Sequence, residues 1–421
     1  MLKFTPSPQS PFAERNFVLL YFGQMASQFG DYFKTVALIG ITYSLVPSAG
    51  AVGGMFMVSV LPVLFGGIFM GPLVDRWNKK HLMIGLDLLR AFCTLGIIWG
   101  AYLQSIWVIY VFIALSSLFS SAFAPARSAI VPELIKSEYI VQATSSFAVM
   151  TSIAMLAGSA LGGFLADWAG GITVLYLDAL SYLISALCLS FMSYTPESKK
   201  PSAASSSYLE KVREGLNYVK GKPQLASVFG LQFFRDFCLG YVYILFALYI
   251  FNELQGSNEE VGIGYSMTAV AYLIGAALIK RYFKNRKFDD KVFFKIYFPF
   301  NILYGIGLGV MFNVHHWYPF LLVLLIANIF QSGVNVVTET SLMTYSTPEI
   351  RGRVFASWLS MSRLAYGISL PLFSVMGDRI SSGLGGILLA AICVLSSLFL
   401  TFYLKSKLRL DGTPVQETKS M

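Results

Sequence analysis

Ionisable side chains interrupt the long apolar runs of this 421-residue chain at a few places, and chemistry is to be sought there. A charge taken out of water is costly unless it is paired or used. Asp31 and Lys34 stand three residues apart in "GDYFK", on one face if the run is a helix. Two readings stay open for them. Either the pair neutralises itself beside water, or Asp31 accepts a proton or a cationic ligand while Lys34 tunes it. Arg235 and Asp236 are adjacent in "FFRDF", about 100° apart on a helix, and Arg363 lies in "MSRLAY". Two such arginines suit an anionic or polar ligand, or hold Asp31 ionised until a proton arrives. Glu339, in "VVTETSL", either titrates or latches onto Arg351 or Arg353. Asp87 and Arg90, at i and i+3 in "GLDLLRAF", are read as braces for a charged turn that precedes them. Asp178, in "LDALSYL", is read as a cap or a group that reaches water.

The elements that carry these residues are helices built for a bilayer. Hydrophobic residues make up 56% of the chain and charged residues 13%, against roughly 25% charged in an ordinary soluble domain. Runs of about 20 apolar residues, enough to cross a hydrocarbon core about 30 Å thick, recur throughout. Twelve spans are predicted, at 17–45, 51–73, 82–103, 105–126, 139–168, 172–194, 224–252, 260–282, 291–313, 317–346, 352–378 and 383–405. The fold class is therefore an all-α polytopic membrane protein. At 1.5 Å per residue, Asp31 is about 20 Å into the first span and Arg363 about 17 Å into the eleventh.

Lysine and arginine orient the spans. The loops and tails of one side hold 26 of them, while the opposite loops hold only Arg379. That asymmetry predicts a cell (plasma or inner) membrane protein with both termini cytoplasmic. The first residues contain no apolar core before a small-residue cleavage site, so no cleaved signal peptide is expected. A long basic-side connection, "TPESKKPSAASSSYLEKVREGLNYVKGKPQL", divides the chain into 1–194, a linker 195–223, 224–406 and a tail 407–421. Within it, Leu209, Val212, Leu216 and Val219 predict an amphipathic helix lying on the membrane face. "VPELI" and "TPEIRGRV" occupy equivalent loops of the two six-helix parts, as expected of repeats that rock about a central site.

Composition also excludes several classes. The formal net charge is +9, but its basic residues are spread over short gaps between apolar runs, so nucleic acid is not expected as a partner. Cys93, Cys188, Cys238 and Cys393 all fall inside apolar runs, which suits reduced thiols. Only three histidines are present and none is metal-spaced, so no metal site, cofactor or enzymatic activity is expected. His315 and His316, beside Trp317, read as interfacial. A phosphate-binding Gly-x-x-x-x-Gly-Lys-Ser/Thr loop is missing, which excludes ATP as a drive within this chain.

The charged turn is "GPLVDRWNKKHLMI", residues 71–84. Pro72 and Leu73 are read as the end of the second span, and Asp75 as lying near the positive N-terminal end of the third helix. Arg76, Lys79 and Lys80 hold the turn at an anionic leaflet. Its spacing resembles the loop between helices two and three of the major facilitator superfamily, Gly-x-Leu-Ala-Asp-Arg-x-Gly-Arg-Arg/Lys. The match is at Gly71, Leu73, Asp75, Arg76, Lys79 and Lys80, with Asn78 where the general pattern has Gly. "GQMASQFGDYF", "DLLRAF", "APARSAIVPELI", "LDALSYLISAL", "EGLNYV" and "EIRGRVFAS" extend the resemblance over essentially the whole chain. They point to the drug-efflux branch that includes macrolide exporters and the enterobactin exporter.

The resemblance implies two pseudo-symmetric six-helix halves and rocker-switch alternating access. It implies proton-coupled export of a hydrophobic or amphipathic small molecule, drug-like or siderophore-like. A dedicated exporter of an endogenous metabolite, and an importer or facilitator of the same fold, are the alternatives. For Asp75 it implies a gate: the carboxylate caps and latches a helix of the other half, with Arg351 and Arg353 supporting from the equivalent loop. Two positions depart from antiporters of this kind. The fourth span has no arginine before Arg127, and "GSALGG" (158–163) has Ser159 where Gly-Pro-x-x-Gly-Gly has proline. Small-residue helix packing accounts for that stretch equally well. The partners expected are a small-molecule substrate, protons and the lipid bilayer, with a monomer as the functional unit.

Overall fold

The structure is a computed structural model and describes residues 10–194, 208–284, 286 and 288–410. Its helices are α1 (Arg15–Leu45), α2 (Ala49–Arg76), α3 (Lys79–Tyr102), α4 (Ile106–Leu134), α5 (Ile140–Ile153), α6 (Ser159–Ala169) and α7 (Gly171–Ser190). They continue with α8 (Tyr208–Lys220), α9 (Pro223–Asn252), α10 (Asn258–Phe283), α11 (Asp290–Met311), α12 (Trp317–Thr344), α13 (Pro348–Met376) and α14 (Ser382–Leu410). A π turn, Ala154–Gly158, joins α5 to α6 without a break. Among the described residues there is no strand. In hydrocarbon every backbone N–H must find its partner within the segment, and the helix achieves this with no help from a neighbour.

Each of the twelve expected spans falls on one of these helices, with α5–α6 forming the fifth and α8 standing in the linker. Nine helical segments among the described residues are long and apolar enough to cross a membrane: α3, α4, α5–α6, α7, α9 to α12 and α14. Asp31 and Lys34 lower the apolar character of α1, and Arg351, Arg353 and Arg363 that of α13. α2 is apolar over Ala49–Val63.

Two boundaries differ from expectation. α4 runs on through Pro125 and Pro132 to Leu134, so Arg127 is a helical residue and not a loop residue. A proline removes one donor and leaves the rest of the ladder able to continue. α2 likewise passes Pro72 and ends at Arg76.

The chain forms two compact units. The first holds Met1–Ser205, Tyr241–Val270 and Ser369–Ile380, and the second holds Ser206–Gly240, Ala271–Ile368 and Ser381–Met421. In the first unit α1 packs along α7, α3 along α4 and α7, and α2 along α4. Phe17, Leu20, Met83, Ala122 and Phe147 belong to its core. In the second, α11 packs along α12 and α14, with Phe293, Tyr297, Val334 and Leu404 in the core.

Within the first unit, α6 and the start of α10 approach at backbone distance. A Cβ added to Gly163 would stand 2.4 Å from the Asn258 carbonyl oxygen, and one added to Gly262 would stand 2.3 Å from that of Ser159. Helix packing through small residues therefore explains "GSALGG". Leu156, inside the π turn, has a carbonyl that accepts the Ser266 hydroxyl at 2.6 Å. Just beyond, Asp167 accepts from Asn258 Nδ2 and from the Glu259 backbone N–H, both at 2.7 Å. Asp378, past the end of α13, accepts from the backbone N–H of Ala49 at 2.6 Å and of Gly50 at 3.4 Å. Two helix N-termini, those of α10 and α2, are thus each met by a carboxylate, which complements their exposed N–H groups and positive dipole end.

Gly163→Val should lower stability by about 1–3 kcal/mol through overpacking, read as a lower thermal midpoint in detergent. Gly85→Ala is the control, since a Cβ there meets nothing within 4 Å and the helix interior gains from the exchange. Equal midpoints for the two variants would show that the close approach carries no energy.

In the second unit, α8 is docked on α13. Ser357 donates to the Val212 carbonyl at 2.8 Å, Glu214 pairs with Arg353, and a Cβ on Gly215 would meet the Arg353 carbonyl oxygen at 2.3 Å. The helix expected in the linker is present, and protein covers one side of it. Val219, on its apolar stripe, is buried in the core of that unit.

Candidate functional site

Three helices of the first unit bring their charged residues together. Each helix presents two functional groups at i and i+3 or i+4, one above the other: Asp31 and Lys34 on α1, Asp87 and Arg90 on α3, Asp178 and Tyr182 on α7. Arg90 Nη2 donates to both oxygens of Asp31, at 2.9 and 2.7 Å. Lys34 Nζ lies 3.2 Å from Asp31 Oδ1 and 3.2 Å from Asp178 Oδ2. Tyr182 is the hub. Its hydroxyl donates to Asp31 Oδ1 at 2.5 Å, accepts from Arg90 at 2.9 Å and accepts from Lys34. The Arg90 guanidinium also stands 4.1 Å from the Tyr182 ring centroid, in cation–π range.

Arg90 Nη1 reaches Asp87 at 3.4 Å, and Thr94 donates to Asp178 Oδ2 at 2.8 Å. Asp87 and Asp178 are fully buried, and one oxygen of each has no hydrogen-bond partner among the described residues. The Asp31 side chain is 30% exposed. It opens into a cavity of about 410 Å³ whose wall also holds Gln24, Gln28, Arg90, Ser120 and Arg127. The cluster carries three carboxylates against two cations, a formal surplus of one negative charge when all are ionised.

The i,i+3 pair of Asp31 and Lys34 is therefore present, inside a larger network than the sequence disclosed. Asp87 and Arg90 do not brace the turn before α3. They sit two to three helical turns in from Lys79, and the long Arg90 side chain crosses to α1. Asp178 neither caps a helix nor reaches water. Tyr182 carried no sequence expectation; the available signal was a second polar group at i+4 from Asp178 in an otherwise apolar helix.

In the second unit, Arg235 is buried. It donates through Nη2 to Gln232 Oε1, and its Nε and Nη1 have no partner among the described residues. Asp236, also buried, accepts from Gln232 Nε2 at 2.8 Å and from the Ser362 hydroxyl. Arg363 is half-buried and Glu339 exposed. The expected latch from Glu339 to the loop arginines is not formed. Arg351 donates to the carbonyls of Met343 (3.0 Å) and Ser346 (3.3 Å), and Arg353 pairs with Glu214.

At the α2–α3 turn, the side chains of Gly71, Leu73, Asp75 and Arg76 lie outside the described residues. Their backbone forms the last turns of α2, so Asp75 is not at the start of α3. Asn78 caps that helix instead, accepting from the N–H groups of Lys80 (3.0 Å) and His81 (3.3 Å). Lys79 pairs with Glu133 at 2.8 Å, and Tyr194 donates to the other oxygen of Glu133 at 2.5 Å. Lys80 donates to the carbonyls of Ser190 (2.8 Å) and Met192 (2.7 Å), which are terminal groups of α7. These contacts fix the turn to its own unit.

Known proteins resemble this chain in sequence and fold. Macrolide efflux protein A of Streptococcus pyogenes is 22% identical over 372 residues, covering 86% of this chain and 90% of that one. The uncharacterized MFS-type transporter YfiS of Bacillus subtilis (strain 168) is 27% identical over 216 residues, covering 50% of this chain and 51% of that one. The match thus spans about half the length of that relative. Among solved structures, the nucleoside transporter NupG has the same fold at a TM-score of 0.71 and 12% identity, covering 94% of this chain and 99% of that one. A family model described as Major Facilitator Superfamily matches residues 20–299 and 228–420. With that model matched over nearly its whole length, the chain belongs to the Major Facilitator Superfamily, and it is a transporter and not an enzyme.

Proposed function

We propose that this chain is a secondary active exporter that moves a small amphipathic molecule outward in exchange for protons entering the cell. The observation that carries the reading is the charge count around Tyr182: three carboxylates against two cations, with Asp31 alone open to a cavity. A buried surplus charge is costly, and a proton arriving at Asp31 removes it. Loading and unloading that proton changes the charge of a network that ties α1, α3 and α7 together, which gives a proton a handle on the helices of this half. The likeness to a macrolide efflux protein supports export as the direction. The halves 1–194 and 224–406 then rock about the site, in a cell membrane, with both termini cytoplasmic and one chain as the working unit. The polar wall of the cavity favours a second reading of the cargo, an endogenous polar metabolite, with the same coupling.

Purified protein in proteoliposomes tests this directly. An imposed pH difference should drive uptake of an amphipathic probe such as hippurate, or of a fractionated culture extract, with proton movement in the opposite sense. Transport that ignores the pH difference and survives a protonophore would sink the reading.

Asp75 belongs to the same proposal as a gate residue at the end of α2. Asp75→Asn should slow turnover several-fold while leaving equilibrium binding of the same probe unchanged, as gating residues do. An unaltered rate in single-turnover efflux would reduce the turn to a topology anchor.

A further inference from the structure

Arg127 is unused by the coupling network, and its surroundings make it a ligand-reading group. Its Nη1 donates to Gln24 Oε1 at 2.8 Å and its guanidinium lies 4.9 Å from the Phe147 ring centroid. These contacts hold the fork in place without neutralising it, since both partners are uncharged and no ion pair to Arg127 is present among the described residues. The residue stands in the wall between two cavities. One is the cavity of about 410 Å³ that Asp31 opens into, and the other, about 330 Å³, lies between α4 and α5 with Arg127, Thr144, Phe147 and Thr151 in its lining.

The charges facing the larger cavity are Asp31, Arg90 and Arg127. Asp31 is already supplied with donors by Arg90, Lys34 and Tyr182. Arg90 directs its Nη donors to Asp31, Asp87 and Tyr182, and its one unpartnered donor, Nε, is buried and does not face the cavity. That leaves Arg127 as the charged group with spare N–H donors, and the neighbouring Gln28 amide adds more, having no hydrogen bond among the described residues. The unmet demand of the cavity is therefore for an acceptor carrying negative charge.

We infer that the transported molecule bears a carboxylate and that Arg127 is the specificity-determining residue that binds it, through its planar fork. Arginine suits this task better than lysine because two parallel N–H donors match two carboxylate oxygens. The amphipathic body of the molecule then lies along α1 toward Asp31. The inference rests on the proposed reading in one respect, that this cavity is the transport site.

The test is binding to the purified full-length chain, with no proton gradient. Hippurate and hippuramide form a matched pair of probes that differ only in the carboxylate. Hippurate should raise the thermal midpoint and bind at least about tenfold more tightly than the amide, as a charge-assisted pair provides. Arg127→Gln, which keeps a hydrogen-bonding group beside Gln24, should erase that difference. Arg127→Lys should retain only part of it. Unliganded midpoints of both variants should match the wild type, and the Lys variant still reports if the Gln variant folds poorly. Equal binding of the two probes, binding of neither, or discrimination that survives Arg127→Gln would each overturn the inference. So would an Arg127 dependence confined to phosphatidylglycerol in nanodiscs, which would make the site one for a lipid phosphate. A failure here leaves pH-driven transport intact, whereas a chain that discriminates the probes but does not couple to protons sinks the proposed function alone.

Discussion

Asp31→Asn should abolish transport driven by a pH difference while leaving substrate-for-substrate exchange running. The substitution preserves shape and a hydrogen-bonding group, so Tyr182 and Arg90 keep a partner at this position. It removes one of three carboxylates facing two cations, and the network becomes neutral without a proton. A site that is neutral already has no reason to take up a proton from one side and release it on the other. In proteoliposomes, uptake driven by an imposed pH difference should fall to the level of empty vesicles, and counterflow with preloaded substrate should persist within about a factor of a few. Asp178→Asn tests whether the location of the surplus matters. It makes the same change to the charge count but at a residue sealed from the cavity, so partial coupling should remain there. Full pH-driven activity in Asp31→Asn would remove Asp31 from the mechanism.

Arg90→Ala should be the most destabilising single change in the network. Arg90 is the ion-pair partner of Asp87, which is fully buried, and it pins both oxygens of Asp31. Removing one member of a buried pair leaves the other charge uncompensated, at about 3–5 kcal/mol. Thermal unfolding in detergent should show that loss as a marked drop in midpoint and a poorer yield of monodisperse protein. Adding Asp87→Asn to the same chain removes the stranded carboxylate and should restore a large part of the lost stability. A double variant no more stable than Arg90→Ala would show that Asp87 is not the stranded partner.

Much of the fold was legible because hydrocarbon imposes few choices. Length and apolar content mark the helices, and Lys and Arg mark the basic side, as with Lys79 and Lys80. The Asp31–Lys34 pair was legible for a similar reason, since i,i+3 neighbours meet whatever the rest of the chain does. Which helices face one another was not legible. α4 and α7 are apolar nearly all round, so no stripe on α7 points to the neighbour that supplies Lys34. Asp87 and Arg90 were assigned by nearness in sequence to the turn, whereas a side chain of that length is free to cross to another helix. Arg127 was placed just past a fourth span ending at 126, whereas the helix runs on through Pro125 and Pro132 to Leu134. Asn78 was taken as a departure from a family pattern, and its function as the cap of α3 emerges only with the backbone.

The π turn at Ala154–Gly158 makes helical phase a matter of residue number. Such a turn fits one more residue than α-geometry needs. Because the turn absorbs that residue, deleting one from it would restore regular α spacing with the helices on either side still in phase, whereas a deletion within continuous α-helix rotates everything beyond by about 100°. Thr151 and Phe147 would keep their places beside Arg127, and Gly163 and Asp167 theirs against Asn258 and Glu259. At the level of the gene, this five-residue stretch should tolerate the loss of one codon that the unbroken helix α3 would not. A deletion scan across the segment, set against the same scan across α3, would show that difference as few null alleles in the first and a run of them in the second.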